Sequence, residues 1–312
     1  MASAREIKNR MKGVRDTQKI TNAMYLIAST KLQRARTELD QSHPYFEAVR
    51  AEIKRIFRKA GDVDSIYFYP PDGEKPLNGT YGCLVITADK GLAGAYNQCV
   101  LKEAQKLLDD HPDTKLFVVG EYGRQYYAKR HIPIEQSFLY TAQSPTVQRS
   151  REITEVLLEQ YDAGKIEKVY IIFTDMKNRL NQEAITHRLL PFHRKYFTDT
   201  LEKEKPVTRE FEFVPSVQEV LASAIRSVVA GFIYGALVDS FCCEQSARMA
   251  AMDSANRNAE KIMDDLSIQY NRVRQAAITQ EITEVSAGAK AQKRKHAHAD
   301  DAPLPIWGDY ER

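Results

Sequence analysis

An α/β domain inserted between the two arms of a long antiparallel coiled coil is the architecture this sequence predicts. Three observations carry it. Residues 216–285 contain no proline and only two glycines, Gly231 and Gly235, so they read as one helix of roughly 70 residues and about 105 Å. A second helical seam fills residues 1–60. Between the two, the hydrophobic period changes to short apolar runs separated by helical stretches, the pattern of a mostly parallel sheet. A compact chain of this length has a radius of gyration of about 20 Å, so a helix of that length needs a partner outside any globule it could build.

The N-terminal helix, residues 1–60, has its seam at Ile7, Met11, Val14, Gln18, Thr21, Tyr25, Ala28, Leu32, Ala35, Leu39, Ser42, Phe46, Val49, Ile53, Ile56 and Ala60. The spacing alternates four and three without a slip, which is a heptad. The middle of the seam is polar or small, so looser packing is expected there. Pro44 is expected to kink the helix without ending it. Residues 61–80 are rich in Gly, Pro and Asp and read as a linker.

The insert, residues 81–207, has strand-like runs at 82–89, 115–120, 132–138, 168–175 and within 181–192. Helical stretches cover about 95–110, 121–130 and 145–163. The sequence then alternates through TREFEFVPS and enters the C-terminal helix, residues 208–285. Pro215, Ser216 and Glu219 give a start signal and Gly288 a stop. Its expected seam is Met252, Ala255, Ala259, Ile262, Leu266, Gln269, Val273 and Ala276. Residues 286–312 are charged, contain Pro303 and Pro305, and are expected to be disordered.

Composition narrows the class. Hydrophobic residues are 43%, charged residues 28%, and the net charge of +3 is too small to argue for nucleic acid by itself. No apolar run approaches the ~20 residues that span a bilayer, and MASAREIKNR lacks the apolar core of a signal peptide. Cys83, Cys99, Cys242 and Cys243 form no metal spacing, and inert buried thiols are expected. The first helix is lopsidedly basic, with Arg5, Lys8, Arg10, Lys12, Arg15 and Lys19 against Glu6 and Asp16. That face suits solvent, a nucleic acid or an acidic protein surface.

The turn TADKGLAGAYN places Gly91 and Gly94 as G-x-x-G, which matches neither the dinucleotide nor the phosphate-loop pattern. A tight strand-to-helix turn is the expectation, with no bound nucleotide, cofactor or metal. Asp89 and Asp175 end apolar strands, a common place for catalytic acids, but no triad gathers around them. His187 and His193 are expected at the surface. His296, His298, Asp300 and Asp301 offer at most a weak metal site in the tail, and Trp307 is the single tryptophan.

Three segments resemble one family. IKNRMKGVRDTQKITNAMYLIASTKLQRAR, ITADKGLAGAYN and EQSARMAAMDSANRNAEKIMDDLSIQYNRVRQAAITQEITEV are similar, in that order, to signatures of the gamma subunits of rotary F-type ATP synthases. The resemblance implies an asymmetric, non-catalytic axle inside a ring of alpha and beta subunits, with the α/β insert against the epsilon subunit and the membrane ring of c subunits. It implies a peripheral place on the cytoplasmic face of a bacterial plasma membrane, touching the membrane only through the c ring. It favours an acidic beta lever as the partner of the basic first helix.

The resemblance also implies rotor–stator contacts at Met24, Lys90, Arg274, Gln275, Thr279 and Glu281. Met24 matches a position near the beta lever. Arg274 and Gln275 match a pair that binds a beta loop, and Thr279 and Glu281 match further coupling positions. Lys90 stands where the family usually has an arginine, which keeps the charge and loses the bidentate fork. Ala93 replaces a usual cysteine, and the paired-cysteine insertion of the light-regulated plant type is absent. Two other classes remain: a coiled-coil nucleic-acid binder, which predicts strongly salt-dependent binding, and an α/β enzyme with a helical dimerisation arm, which predicts ligand bound by residues 80–200.

Overall fold

The computed structural model describes residues 3–60, 63, 65–69, 79–139, 142–176, 182–194, 197 and 212–300. Apolar runs of alternating orientation build the sheet. Its strands are β1 (Tyr81–Ile86), β2 (Lys115–Val119), β3 (Gln136–Phe138), β4 (Lys168–Met176) and β5 (Gln182–Leu190), in the order β3-β2-β1-β4-β5. The first four are parallel, and β5 runs antiparallel to β4. Helices α2 (Tyr96–Asp110), α3 (Glu121–Lys129) and α4 (Val147–Asp162) connect them. The long helices are α1 (Ala4–Ala60) and α5 (Val217–Asp300).

The strand period of two divides the apolar residues between two faces. Cys83, Val85, Leu116, Val118 and Ile172 join Val100, Leu101 and Ala104 of α2 and Tyr127 of α3. Leu84, Ile86, Phe117, Ile171 and Phe173 join Ile153 and Leu157 of α4, and Ile53, Leu221, Ile225 and Ile233 of the long helices. Both faces are covered, as a parallel sheet requires. By length and composition an apolar stretch of α5 is sufficient to cross a membrane, contrary to the reading of its sequence. Here its residues Leu221, Ile225, Val229, Ile233 and Leu237 are buried against the sheet.

The described residues form two compact units, Ala23–Asp253 and Met1–Asn22 with Ser254–Arg312. In the second unit the two chain ends pair antiparallel. Gln18 donates to Glu260 at 3.4 Å; one seam step up α1, Thr21 donates to Asn256, one step back along α5. Asn256 also donates to Asn22 at 2.7 Å. The polar middle of the seam is therefore hydrogen-bonded across the pair. The α1 seam is buried or half-buried at every position from Ile7 to Ile56, in both units.

The α5 seam departs from its expected register. Ile262 is 47% exposed and Gln269 and Ala276 are exposed, whereas Asn256, Met263 and Tyr270 are half-buried. The seam runs Met252, Asn256, Ala259, Met263, Leu266, Tyr270 and Val273, a heptad with the opposite phase. Apolar residues lie all round this helix, so two phases compete, and hydrogen bonds to Asn256 favour the second. The helix also passes through Gly288 to Asp300, where a stop and a disordered tail were expected. A single glycine costs roughly 1 kcal/mol, and the strong helix formers around it, Ala287, Ala289, Lys290, Ala291 and Gln292, outweigh that. Residues 301–312, with Asp301 and Trp307, lie outside the described residues, as do the side chains of His296, His298 and Asp300.

Other expectations meet their local chemistry. Ser216 accepts from the Glu219 N–H at 3.2 Å, capping α5. Pro44 lies within unbroken α1. Part of the 61–80 segment packs: Tyr67, Phe68 and Tyr69 are buried, and Tyr67 donates to Asp162 at 2.7 Å. Their three aromatic rings outweigh the surrounding turn residues. Of the cysteines, Cys99 is exposed, against expectation, and the other three are buried.

Candidate functional site

The β1–α2 turn is built to hold one loop still. Asn97 Oδ1 accepts from the Ala88 N–H at 2.9 Å, and Asp89 Oδ1 accepts from the Glu121 N–H at the start of α3, also at 2.9 Å. Asp89 therefore caps a helix, which accounts for an acid at the end of this strand without catalysis. The turn reverses through Leu92 (φ 62) and Gly94 (φ 55). The left-handed region favours glycine, yet Leu92 occupies it with 66% of its surface exposed. Gly91 is not the residue that needs the freedom.

A third tether comes from α5. Arg248 donates to the carbonyl of Gly91 at 3.1 Å and makes a longer contact to that of Lys90. Its guanidinium also pairs with Glu244 at 2.6 Å, with side-chain exposures of 11% and 8%. Burial pushes the Glu244 carboxyl above its usual range, the adjacent Arg248 pulls it back, and Asp89 adds to the rise. The i,i+4 spacing of this pair is visible in EQSAR, but its burial is not, and sequence reasoning passed it over.

Beside this turn lies a cavity of 210 Å³ whose wall includes Met24, Lys31, Lys90, Phe241 and Arg248. Met24 of α1 and Lys90 of the turn, far apart in sequence, are thus brought to one site. Lys90 projects to solvent while its own backbone is held at both sides.

The other expected contacts lie in the unit made by the chain ends. Arg274, Gln275, Thr279 and Glu281 are all exposed. Arg274 and Glu281 are seven residues apart and share one side of the helix; Gln275 and Thr279 share the neighbouring side. Thr279 donates to the Gln275 carbonyl at 2.9 Å, so its hydroxyl is turned back on its own helix. The antiparallel register places the first turns of α1 roughly level with Tyr270 and Val273. Beyond Val273, all α5 residues with described side chains are exposed. Among the described residues, the four expected contacts therefore lie past the last half-buried position of α5, Val273.

Among the described residues no group of three or more His, Cys, Asp or Glu could hold a metal. His187 lies over the Phe232 ring, with centroids 4.7 Å apart, and His193 over Tyr69 at 4.9 Å. Asp239 of α5 has its carboxyl pushed up to about 6 by burial and by nearby Asp175.

The family model described as "ATP synthase" matches residues 3–292. The chain is 38% identical to the ATP synthase gamma chain of Acetivibrio thermocellus over 94% of its own length and 100% of that protein. It is 35% identical to a protein of Acetobacterium woodii named "ATP synthase gamma chain, sodium ion specific", covering 93% of this chain and 98% of the relative. In fold it is similar to a chain of the Euglena gracilis mitochondrial ATP synthase (OSCP/F1/c-ring), with TM-score 0.63, 14% identity, and coverage of 98% and 99%. It is also similar to one of the Tetrahymena thermophila mitochondrial ATP synthase central stalk/c-ring, with TM-score 0.55, 23% identity, and coverage of 76% and 99%. Nothing in these relatives favours the nucleic-acid reading.

Proposed function

We infer how this protein works from one premise: the chain belongs to the family of ATP synthase gamma chains. It is the central-stalk subunit of a membrane-associated ATP synthase, and it couples ion-driven rotation of the c ring to conformational change at the catalytic sites of the alpha/beta ring. Its partners are the alpha, beta and epsilon subunits and the c ring. It supplies no catalytic residue of its own, and it works at the cytoplasmic face of a bacterial plasma membrane, which it meets only through the c ring. Each rotor angle must favour one set of site conformations over another, and that differential is the whole of its contribution.

Six residues carry the contact with the stator in this reading. Arg274 and Gln275 take hold of a beta loop at one angle and release it at others, with Thr279 and Glu281 further along the same helix. Met24 and Lys90 form a second contact. The observation that carries the reading is the run of α5 beyond Val273, whose described side chains are all exposed. A tethered turn supports the second contact, since Lys90 stands on a backbone held by Arg248.

Mixing this chain with purified alpha and beta subunits tests the assignment. The expected product is one stoichiometric complex with ATPase activity. Failure to form it with folded components overturns the reading.

A further inference from the structure

Among the described residues, two that are not glycine lie in the left-handed region, Leu92 (φ 62) and His131 (φ 56). His131 follows the end of α3, where helices commonly finish in this conformation, and its N–H donates to the Ala128 carbonyl at 3.1 Å. Leu92 ends no helix, and a bulky aliphatic residue is disfavoured there. Packing does not explain it either. Its surface is 66% exposed, and it joins none of the apolar clusters formed by the described residues. Glycine is the residue suited to this conformation, and one stands a position earlier. Gly91 lies outside the left-handed region, and an added Cβ there would meet nothing within 4 Å.

The conformation is imposed from both sides. Ala88 and Ala93 are buried, and Asn97 accepts from the Ala88 N–H at 2.9 Å. The Gly91 carbonyl accepts from Arg248, and the Ala93 carbonyl accepts from the Tyr96 N–H at 3.2 Å. Leu92 is thus held on an anchored turn, exposed, two residues from Lys90. A strained and exposed apolar side chain costs the isolated chain stability, so its use lies in a partner.

We propose that Leu92 is a further rotor–stator contact residue, an apolar knob that enters an apolar pocket on a beta subunit while Lys90 meets a carboxylate at the rim. The inference rests on the beta contact inferred above for Lys90, since two residues on one anchored turn reach the same surface. An apolar centre with a polar rim is the usual anatomy of a protein interface. Anchoring lowers the cost of each encounter, because the backbone beneath the side chain is ordered beforehand. A rotor contact forms and breaks repeatedly, so that saving recurs with every turn.

The experiment compares the isolated full chain with its complex with alpha and beta subunits. Leu92→Asn suits the turn, because asparagine tolerates the left-handed region, and it removes the apolar group. It should raise the melting temperature of the isolated chain by roughly 2–4 °C. In the complex it should slow ATP turnover by about fivefold or more. Leu92→Met, equally strained and equally apolar, should keep both near their starting values. Photo-leucine at position 92 of the otherwise unaltered complex should cross-link to a beta subunit. Normal turnover in an assembled Leu92→Asn complex, or cross-linking only to alpha or within the chain, would overturn this inference and leave the family reading intact. Slower turnover with a lower melting temperature would make Leu92 a support of the turn, and overturns it too. Slowed turnover in Lys90→Ala beside normal turnover in Leu92→Asn would confine the contact to Lys90. Failure of the unaltered chain to assemble overturns the family reading, and this inference with it.

Discussion

The two compact units use the same pair of helices in opposite ways. Between Ala23 and Asp253 the helices face a sheet, and their apolar residues vanish into it: Ile53, Ile56, Leu221, Ile225 and Ile233 are all buried. In the unit made by Met1–Asn22 and Ser254–Arg312 they face only each other, across a seam of Gln18, Thr21, Asn256 and Ala259 held by hydrogen bonds. One region is fixed by burial, and in the other most of the described side chains off the seam are exposed. Substitutions should therefore divide cleanly: those in the sheet-bearing unit should be felt as stability, and those beyond Val273 as function.

The largest effect is expected at Arg248. Arg248→Ala leaves Glu244 buried and unpaired and frees the Gly91 carbonyl, costing about 3–5 kcal/mol. Thermal melting of the isolated chain should show it, and Glu244→Gln in the same chain should restore part of the loss. A melting temperature unchanged in Arg248→Ala would mean the pair is solvated and the turn is held otherwise.

Arg274→Ala and Gln275→Ala should do the reverse. Both are exposed, so each should leave the unfolding free energy within about 0.5 kcal/mol of the starting protein's. In the reconstituted complex each should slow steady-state ATP turnover, by up to about tenfold for a charge-assisted contact. The double variant should lose less than the sum, because both hold one loop. Lower stability with normal turnover would assign Arg274 to a pairing within its own coiled coil.

Met24→Lys sharpens the comparison from the other side, since Met24, with Lys90, is an expected contact that lies in the sheet-bearing unit. ATP hydrolysis should persist while ion pumping per ATP falls, and equal pumping would remove Met24 from the stator contact.

A smaller effect is expected at Asp239, and its sign is set by pH. The folded chain holds this carboxyl proton more tightly than the unfolded chain does, with a pKa of about 6 against an ordinary 3.8. The ionised form therefore costs stability in full above about pH 6. The cost fades as pH falls through 6 and is gone below about 4. Asp239→Asn should raise the melting temperature by roughly 2–4 °C at pH 7.5, for a gain on the order of 1 kcal/mol after solvent screening, and change little at pH 4. Equal gains at both pH values would rule out the carboxylate as the cause.

Much of this was legible in the sequence, and the reasons differ by region. The α1 seam was visible because its apolar residues keep one phase from Ile7 to Ile56. The strands were visible because residues such as Leu84, Val85 and Ile86 form an unbroken apolar run. The α5 seam was misphased because Ala255 and Ile262 fit a heptad as well as Asn256 and Met263 do. What favoured the second phase were hydrogen bonds between the two helices at Asn256, which no local pattern encodes. Glu244 and Arg248 were overlooked for a related reason: an i,i+4 pair looks the same on paper whether wet or buried. That Met24 and Lys90 share a cavity follows from the packing of a sheet turn against two helices, and no spacing in the sequence announces it.

The pairing of Gln18 with Glu260 spans 242 positions. During synthesis α1 leaves the ribosome first, and its terminal turns must wait for nearly the whole chain before their partner exists. At about 5–20 residues per second that interval is roughly 10–50 s. A seam of Gln18, Thr21 and Ala28 is well suited to that wait, because a greasier one would offer an apolar stripe to any other nascent chain nearby. The polar middle of the coiled coil is thus a safeguard in time as well as a loose joint in space.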